Sequence, residues 1–172
     1  MKTTGALLRM IIVVLILMIK GEVIKAQIKI DGYAINPKLG AYKTEYTAFI
    51  IGGEFNVTSK RTIYSVDYYR TFQIMNPERL KMIDFMVGRY YGGRIFRLQC
   101  QGGLGTLSGK KINEKRDISE EIYTFGVPLK LGLKILVTNS LSLGIDLQAH
   151  LNSKQSIWMS MFSIEIGKVR KK

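Results

Sequence analysis

In the segment 141–151 every second residue is apolar: Leu141, Leu143, Ile145, Leu147, Ala149 and Leu151 alternate with Ser142, Gly144, Asp146, Gln148 and His150. Successive Cβ atoms of an extended chain point to opposite sides, so the pattern predicts a β-strand with one apolar and one polar face. After residue 30 the same alternation recurs, at approximately 33–42, 47–57, 62–73, 80–91, 96–107, 122–137, 141–151 and 156–169, and no 3.6-residue period competes with it. Eight strands, each followed directly by the next, predict an antiparallel up-and-down arrangement, and an even number of this size closes into a small barrel.

The contents of the two faces decide which one lines the barrel. The apolar face carries Phe49, Phe85, Leu131, Leu147, Phe162 and many other large side chains. An eight-stranded barrel has room for little more than its own lining, and such a set would overfill it. The polar face carries Gly52, Gly88, Gly105, Gly126, Gly132 and Gly144, which suit a crowded interior and weaken a solvated strand. It also carries Lys38, Arg97, Lys130 and Lys134 against Glu54, Asp67, Asp84, Asp146 and Glu165, with His150 on the same side. Near-balance of this kind is what a buried lumen requires. The expectation is therefore an all-β, eight-stranded antiparallel transmembrane barrel, apolar outside, whose lumen is filled by a charge network of those ten residues. A soluble carrier, with the pattern inverted, is the alternative.

Aromatic residues collect near predicted strand ends. Tyr42, Tyr46, Phe72, Tyr123 and Trp158 fall at one end, and Tyr33, Phe55, Tyr64, Tyr91 and Phe96 at the other. Of these, Tyr33, Tyr46, Tyr64, Tyr91, Tyr123 and Trp158 are candidate anchors at the two membrane interfaces. Residues 59–61, 92–94 and 138–140 form tight turns, the periplasmic kind. The connection 108–121, from Ser108 to Glu121 (SGKKINEKRDISEE), is long, charged and a candidate surface for an extracellular partner. Pro128 lies within a predicted strand, where a local bulge would accommodate its missing N–H.

The N-terminal residues add a compartment. Lys2 and Arg9 precede an unbroken apolar run at 10–19, and Ala26-Gln27 offers a small-residue cleavage site. This layout predicts a secretory signal peptide at 1–26 and a barrel domain at 27–172, with an uncleaved anchor as the alternative. Cleavage would remove Lys2, Arg9, Lys20, Lys25 and Glu22 and lower the formal charge of the 172-residue chain from +13 to +10. For an exported basic protein the expected anionic partners are outer-membrane lipid and lipopolysaccharide, not nucleic acid. The single cysteine, Cys100, excludes an internal disulfide and sits on the apolar face as a small hydrophobe.

Catalytic patterns are sparse. His150 is the only histidine, with Asp146, Gln148 and Ser153 near it in sequence. A hydrolase acting on lipid A would need a nucleophile, a base and an orienting carboxylate, but His150 reads better as a lumenal residue bonded to Asp or Gln. One His and one Cys on opposite faces cannot supply a transition-metal site, and no cofactor is predicted. Residues 102–110 (GGLGTLSGK) lack both the GK[ST] ending and the helix of a phosphate loop. Glu120 and Glu121 fall in the charged connection.

The exported start ending in KAQ, the segment FGVPLKLGLK (125–134) and the ending NSKQSIWMSMFSIEIGKVR resemble small outer-membrane β-barrel proteins of Gram-negative bacteria. The resemblance is to the OmpA/OmpX type and the outer membrane protein β-barrel domain families, across the whole mature chain. It implies an outer-membrane location and recognition by the barrel-insertion machinery, but no substrate. The combined expectation is a non-enzymatic barrel with a plugged lumen and a structural or surface-interaction role. A narrow passive channel for small solutes is the second reading.

Overall fold

The computed structural model describes residues 30–44, 47–71, 79–93, 95–113 and 118–169. The signal peptide expected at 1–26, and Tyr46 and Phe72 among the expected interface aromatics, lie outside them. Eight strands run in chain order: β1 (Gly32–Lys43), β2 (Thr47–Ser59), β3 (Thr62–Thr71), β4 (Arg79–Gly92), β5 (Phe96–Asn113), β6 (Ile118–Leu136), β7 (Leu141–Asn152) and β8 (Ile157–Lys168). Each pairs antiparallel with the next, and β8 closes on β1 through pairs such as Leu39↔Phe162. Closure leaves no sheet edge, so the ladders can satisfy the backbone without water.

The alternation puts the apolar face outside. Phe49, Leu104 and Phe125 are 64%, 68% and 70% exposed, whereas Lys38 and Lys134 are 2% and 0% exposed. Cys100 is also on the outer surface. This is the reverse of a soluble protein, in which large apolar side chains leave the surface and charges occupy it.

The turns joining β2 to β3, β4 to β5 and β6 to β7 are short and lie at the end of the barrel that holds the start of β1 and the end of β8. The first is tightly tied. Lys60 has a φ of 54°, its N–H donates to Asp31 Oδ2 at 2.7 Å, and its carbonyl accepts from Tyr90 Oη at 2.6 Å.

Three expectations need correcting. The connection 108–121 is mostly strand: β5 and β6 stay paired from Ser108↔Tyr123 out to Asn113↔Ile118. The register sets Lys110 opposite Glu121 and residue 111 opposite Glu120, so the stretch that read as a loop is paired strand in a projecting ribbon. Pro128 causes no bulge. The β5–β6 pairs on either side of it, Gly102↔Leu129 and Gly105↔Gly126, keep one register, and Pro128 still faces His150 across β6–β7. Finally, Tyr42 is in the lumen, at 1% exposed, rather than at the membrane interface. It shares the inward parity of Lys38 and Gly40 on β1.

The lumen has two layers. Toward the end opposite the termini it is apolar, packed by Tyr42, Ile50, Tyr69, Leu80, Met82, Leu107, Ile157, Met159 and Met161. Polar side chains dominate the middle and the terminal half, with Ala34, Ile63 and Met86 among them.

Candidate functional site: the lumenal charge network

Three lysines and three carboxylates form the centre. Lys38 on β1 reaches Glu54 on β2 at 2.5 Å, Asp146 on β7 at 2.9 Å and Asp67 on β3 at 3.4 Å. Lys130 on β6 shares two of these partners, Glu54 at 2.9 Å and Asp67 at 3.3 Å. Lys134, four residues further along β6 and nearer the termini, pairs with Asp146 at 2.8 Å and donates to Ser163 Oγ on β8. All six side chains are fully enclosed. Balanced charge and multiple partners are what make such burial tolerable, because an ion without a partner at this depth costs several kcal/mol.

A second group adjoins the first. Tyr69 Oη lies 2.6 Å from Asp67 Oδ2 and 2.9 Å from Gln148 Oε1. Gln148 Nε2 donates to Asp84 Oδ2 at 2.7 Å, and Asp84 Oδ1 lies 3.3 Å from His150 Nε2. The tautomer of His150 can be assigned from its other neighbour. Asn152 Oδ1 accepts from the N–H groups of Lys154 and Gln155, and its Nδ2 donates to the Gln155 carbonyl, which orients the amide. That Nδ2 also sits 3.3 Å from His150 Nδ1, which therefore accepts, leaving the ring proton on Nε2, facing Asp84.

Glycines make the room. Gly105 on β5 is directly opposite Gly126 on β6. A Cβ at Gly105 would overlap Asp84 Oδ1, and one at Gly126 would overlap the His150 ring. Gly52 leaves space in the same way for the Tyr69 ring.

Glu165 and Arg97, grouped with the others by their inward parity, stand apart. Glu165 is held by neutral donors: Ser142 Oγ at 2.6 Å, Gln99 Nε2 at 3.1 Å and Asn56 Nδ2 at 3.3 Å. Arg97 is buried at the rim near the termini, donates to the Val169 carbonyl, and lies 4.5 Å from the centroid of the Tyr90 ring. Arg97 thus takes no part in the central ion pairs, in which Lys38, Lys130 and Lys134 meet Glu54, Asp67 and Asp146. Tyr69 and Gln148 link the two groups; sequence reasoning placed Gln148 on the inward face but missed Tyr69. Their inward parity was readable, but their partners come from other strands.

Of the expected interface aromatics in the described residues, Tyr33, Tyr64, Tyr91, Tyr123 and Trp158 are all on the outer surface, 44–68% exposed. Tyr123 packs edge-on against Phe125 with centroids 5.7 Å apart.

The network offers no catalytic arrangement. His150 is fully buried, and Ser153, the nucleophile nearest in sequence, is exposed and not bonded to it. Among the described residues no group of three or more His, Cys, Asp or Glu side chains is placed to hold a metal ion.

The fold and its inverted polarity define a closed, eight-stranded barrel of the membrane type. Solved outer-membrane barrels share it. The N-terminal β-barrel domain of OprF from Pseudomonas aeruginosa aligns with a TM-score of 0.66 at 14% identity, covering 80% of this chain and 97% of that one. Ail, the attachment invasion locus protein of Yersinia pestis, aligns at 0.57 and 10% identity over 80% of this chain and 98% of its own. Neisserial surface protein A aligns at 0.56 and 10% identity over 78% of this chain and 95% of its own. Ail has also been solved in complex with the heparin analogue sucrose octasulfate. No protein-family model matches the chain, and no curated protein matches it in sequence.

Proposed function

We propose that the protein is a non-enzymatic integral barrel of the bacterial outer membrane, with a plugged lumen and a structural or surface-interaction role. The observation that carries this reading is the inversion itself. A belt of exposed Leu, Ile, Val and Phe surrounds an interior of ion pairs, and only a hydrocarbon solvent makes that arrangement favourable. It also argues against a soluble carrier, which needs an apolar cavity. Short turns at the end with the termini support a periplasmic placement of that end, with the β5–β6 ribbon presented outside the cell. Ail, a solved barrel of the same fold, has been obtained in complex with the heparin analogue sucrose octasulfate, which fits a surface-interaction role.

Two layers in series support the plug: the lysine–carboxylate centre and the apolar layer above it. The test is twofold. The protein should fractionate with the outer membrane and migrate differently on gels before and after boiling; failure of both would overturn the barrel reading. Purified protein in planar bilayers should show no steady single-channel current, and such currents would favour the narrow channel instead.

A further inference from the structure

At the end of the barrel that holds the termini, one inward-facing cation lacks an acid. Arg97, at the start of β5, is only 8% exposed. Its guanidinium donates to the Val169 carbonyl and lies 4.5 Å from the centroid of the Tyr90 ring, and among the described residues no carboxylate pairs with it. Glu165, further in, is taken by Ser142, Gln99 and Asn56. A carbonyl and an aromatic face attract a guanidinium without neutralising it, and a buried cation with no anion is costly.

A recess of about 260 Å³ lies beside Arg97. Lys60 and Arg61 of the β2–β3 turn are in its lining, and the one acid there is Asp31, whose Oδ2 already accepts the Lys60 N–H. Tyr90 holds the sides of the recess together. Its Oη donates to the Lys60 carbonyl at 2.6 Å, its backbone N–H donates to the Arg61 carbonyl at 3.0 Å, and its ring lies against Arg97. The cations are therefore positioned before any ligand arrives, which lowers the ordering cost of binding one.

The position of the recess selects its occupant. Gly32, Thr58, Tyr90, Arg97 and Val169, all in the lining, share the inward parity of their strands, so the recess lies within the ring of strands and opens at the end with the termini. Lipid headgroups pack around the outer wall of a barrel, whereas a chain approaching along the axis meets this mouth directly.

We infer that Arg97, with Lys60 and Arg61, receives an acidic peptide segment of a periplasmic partner. One Asp or Glu carboxylate of that segment forms a bidentate pair with the Arg97 guanidinium, and the turn cations take its acidic neighbours. This rests on the outer-membrane reading, with the short turns on the periplasmic side.

The test uses the full chain in phosphatidylcholine nanodiscs and a fluorescein-labelled hexaglutamate peptide, followed by fluorescence anisotropy. The unaltered protein should bind the peptide, and R97Q should bind it about tenfold more weakly, which corresponds to about 1.4 kcal/mol. R97K should recover only part of the loss, because an ammonium cannot form the fork. K60Q/R61Q should also weaken binding. Arg89 is exposed on the outward face of β4 at the same end, so R89Q removes an equal charge outside the recess and should have little effect. No binding by the unaltered protein, equal binding by R97Q, or a loss in R89Q as large as that in R97Q would overturn the site. Loss of peptide binding when a few mole per cent of phosphatidylglycerol is added to the nanodiscs would make a lipid the occupant and overturn the peptide. Should R97Q lose its heat-modifiable migration, K60Q/R61Q carries the comparison. Absence of the unaltered protein from the outer membrane of cells would instead count against the underlying reading.

Discussion

Lys38 on β1 and Asp146 on β7 meet 2.9 Å apart inside the lumen, although neither strand is hydrogen-bonded to the other. Their contact reaches past β8, the strand that lies between them. Because three lysines balance three carboxylates in this cluster, removing Lys38 leaves Lys130 and Lys134 to serve all three acids. Lys38→Met is therefore expected to destabilise the barrel by about 3–5 kcal/mol, the usual cost of orphaning a buried charge. Urea unfolding from lipid vesicles measures it. Lys38→Met combined with Asp146→Leu should cost less than the two single changes summed; strict additivity would show that the pair is not coupled.

The facing glycines Gly105 and Gly126 predict a second coupling. The atoms that a methyl group at Gly105 would strike are side-chain atoms of Asp84 and His150. Gly105→Ala should therefore cost about 1–3 kcal/mol in the unaltered protein through overpacking. In an Asp84→Ala background, where the struck carboxylate is gone, the same change should cost distinctly less. An undiminished cost in that background would mean that the glycine is needed for some reason other than space.

Much of this interior was legible before the structure, because a strand's period of two makes parity a direct report of face. Parity alone placed Lys38, Glu54, Asp67, Asp84, Lys130, Lys134, Asp146 and His150 on one surface. It equally placed Tyr42, Met159 and Met161 inward, but a Tyr near a strand end also fits an interfacial anchor, and that reading was the wrong one for Tyr42. Alternation failed where apolar residues were too few to register. The outer part of the β5–β6 hairpin carries adjacent like charges, Lys110-Lys111 and Glu120-Glu121, and its strand character comes from pairing such as Lys110↔Glu121, which only the register reveals. Arg97 shows the remaining limit: parity gives the face but not the depth, and depth separates a rim residue from a member of the central cluster.

Trp158 is the only tryptophan of the chain, so its emission reports one place. It lies on the outer surface opposite Lys43 of β1, close to the end away from the termini. An indole at a membrane interface keeps its ring in the apolar region and its N–H near water. Emission in reconstituted vesicles should therefore be blue-shifted relative to the urea-unfolded chain. Lipids brominated near the headgroup should quench it more than lipids brominated near the chain ends. Water-like emission without quenching by either lipid would place this surface outside the bilayer.

The β5–β6 ribbon allows the orientation to be tested in living cells. β4 begins opposite Lys110 and β7 ends opposite Gly126, so among the described residues the hairpin beyond those points pairs only with itself. It contributes little to the barrel: the Lys110–Glu121 pair is exposed, and surface pairs of this kind are worth at most about 1 kcal/mol. Replacing residues 111–120 with Asn-Gly, which suits a two-residue hairpin turn, should leave heat-modifiable migration intact and change stability by less than about 1 kcal/mol. The replaced segment contains Lys111, Lys115 and Arg116. Trypsin added to intact cells should cut there and leave the two fragments associated until boiled, whereas the shortened protein should resist. Cleavage at this segment only after the cells are permeabilised would invert the barrel, putting the ribbon on the periplasmic side.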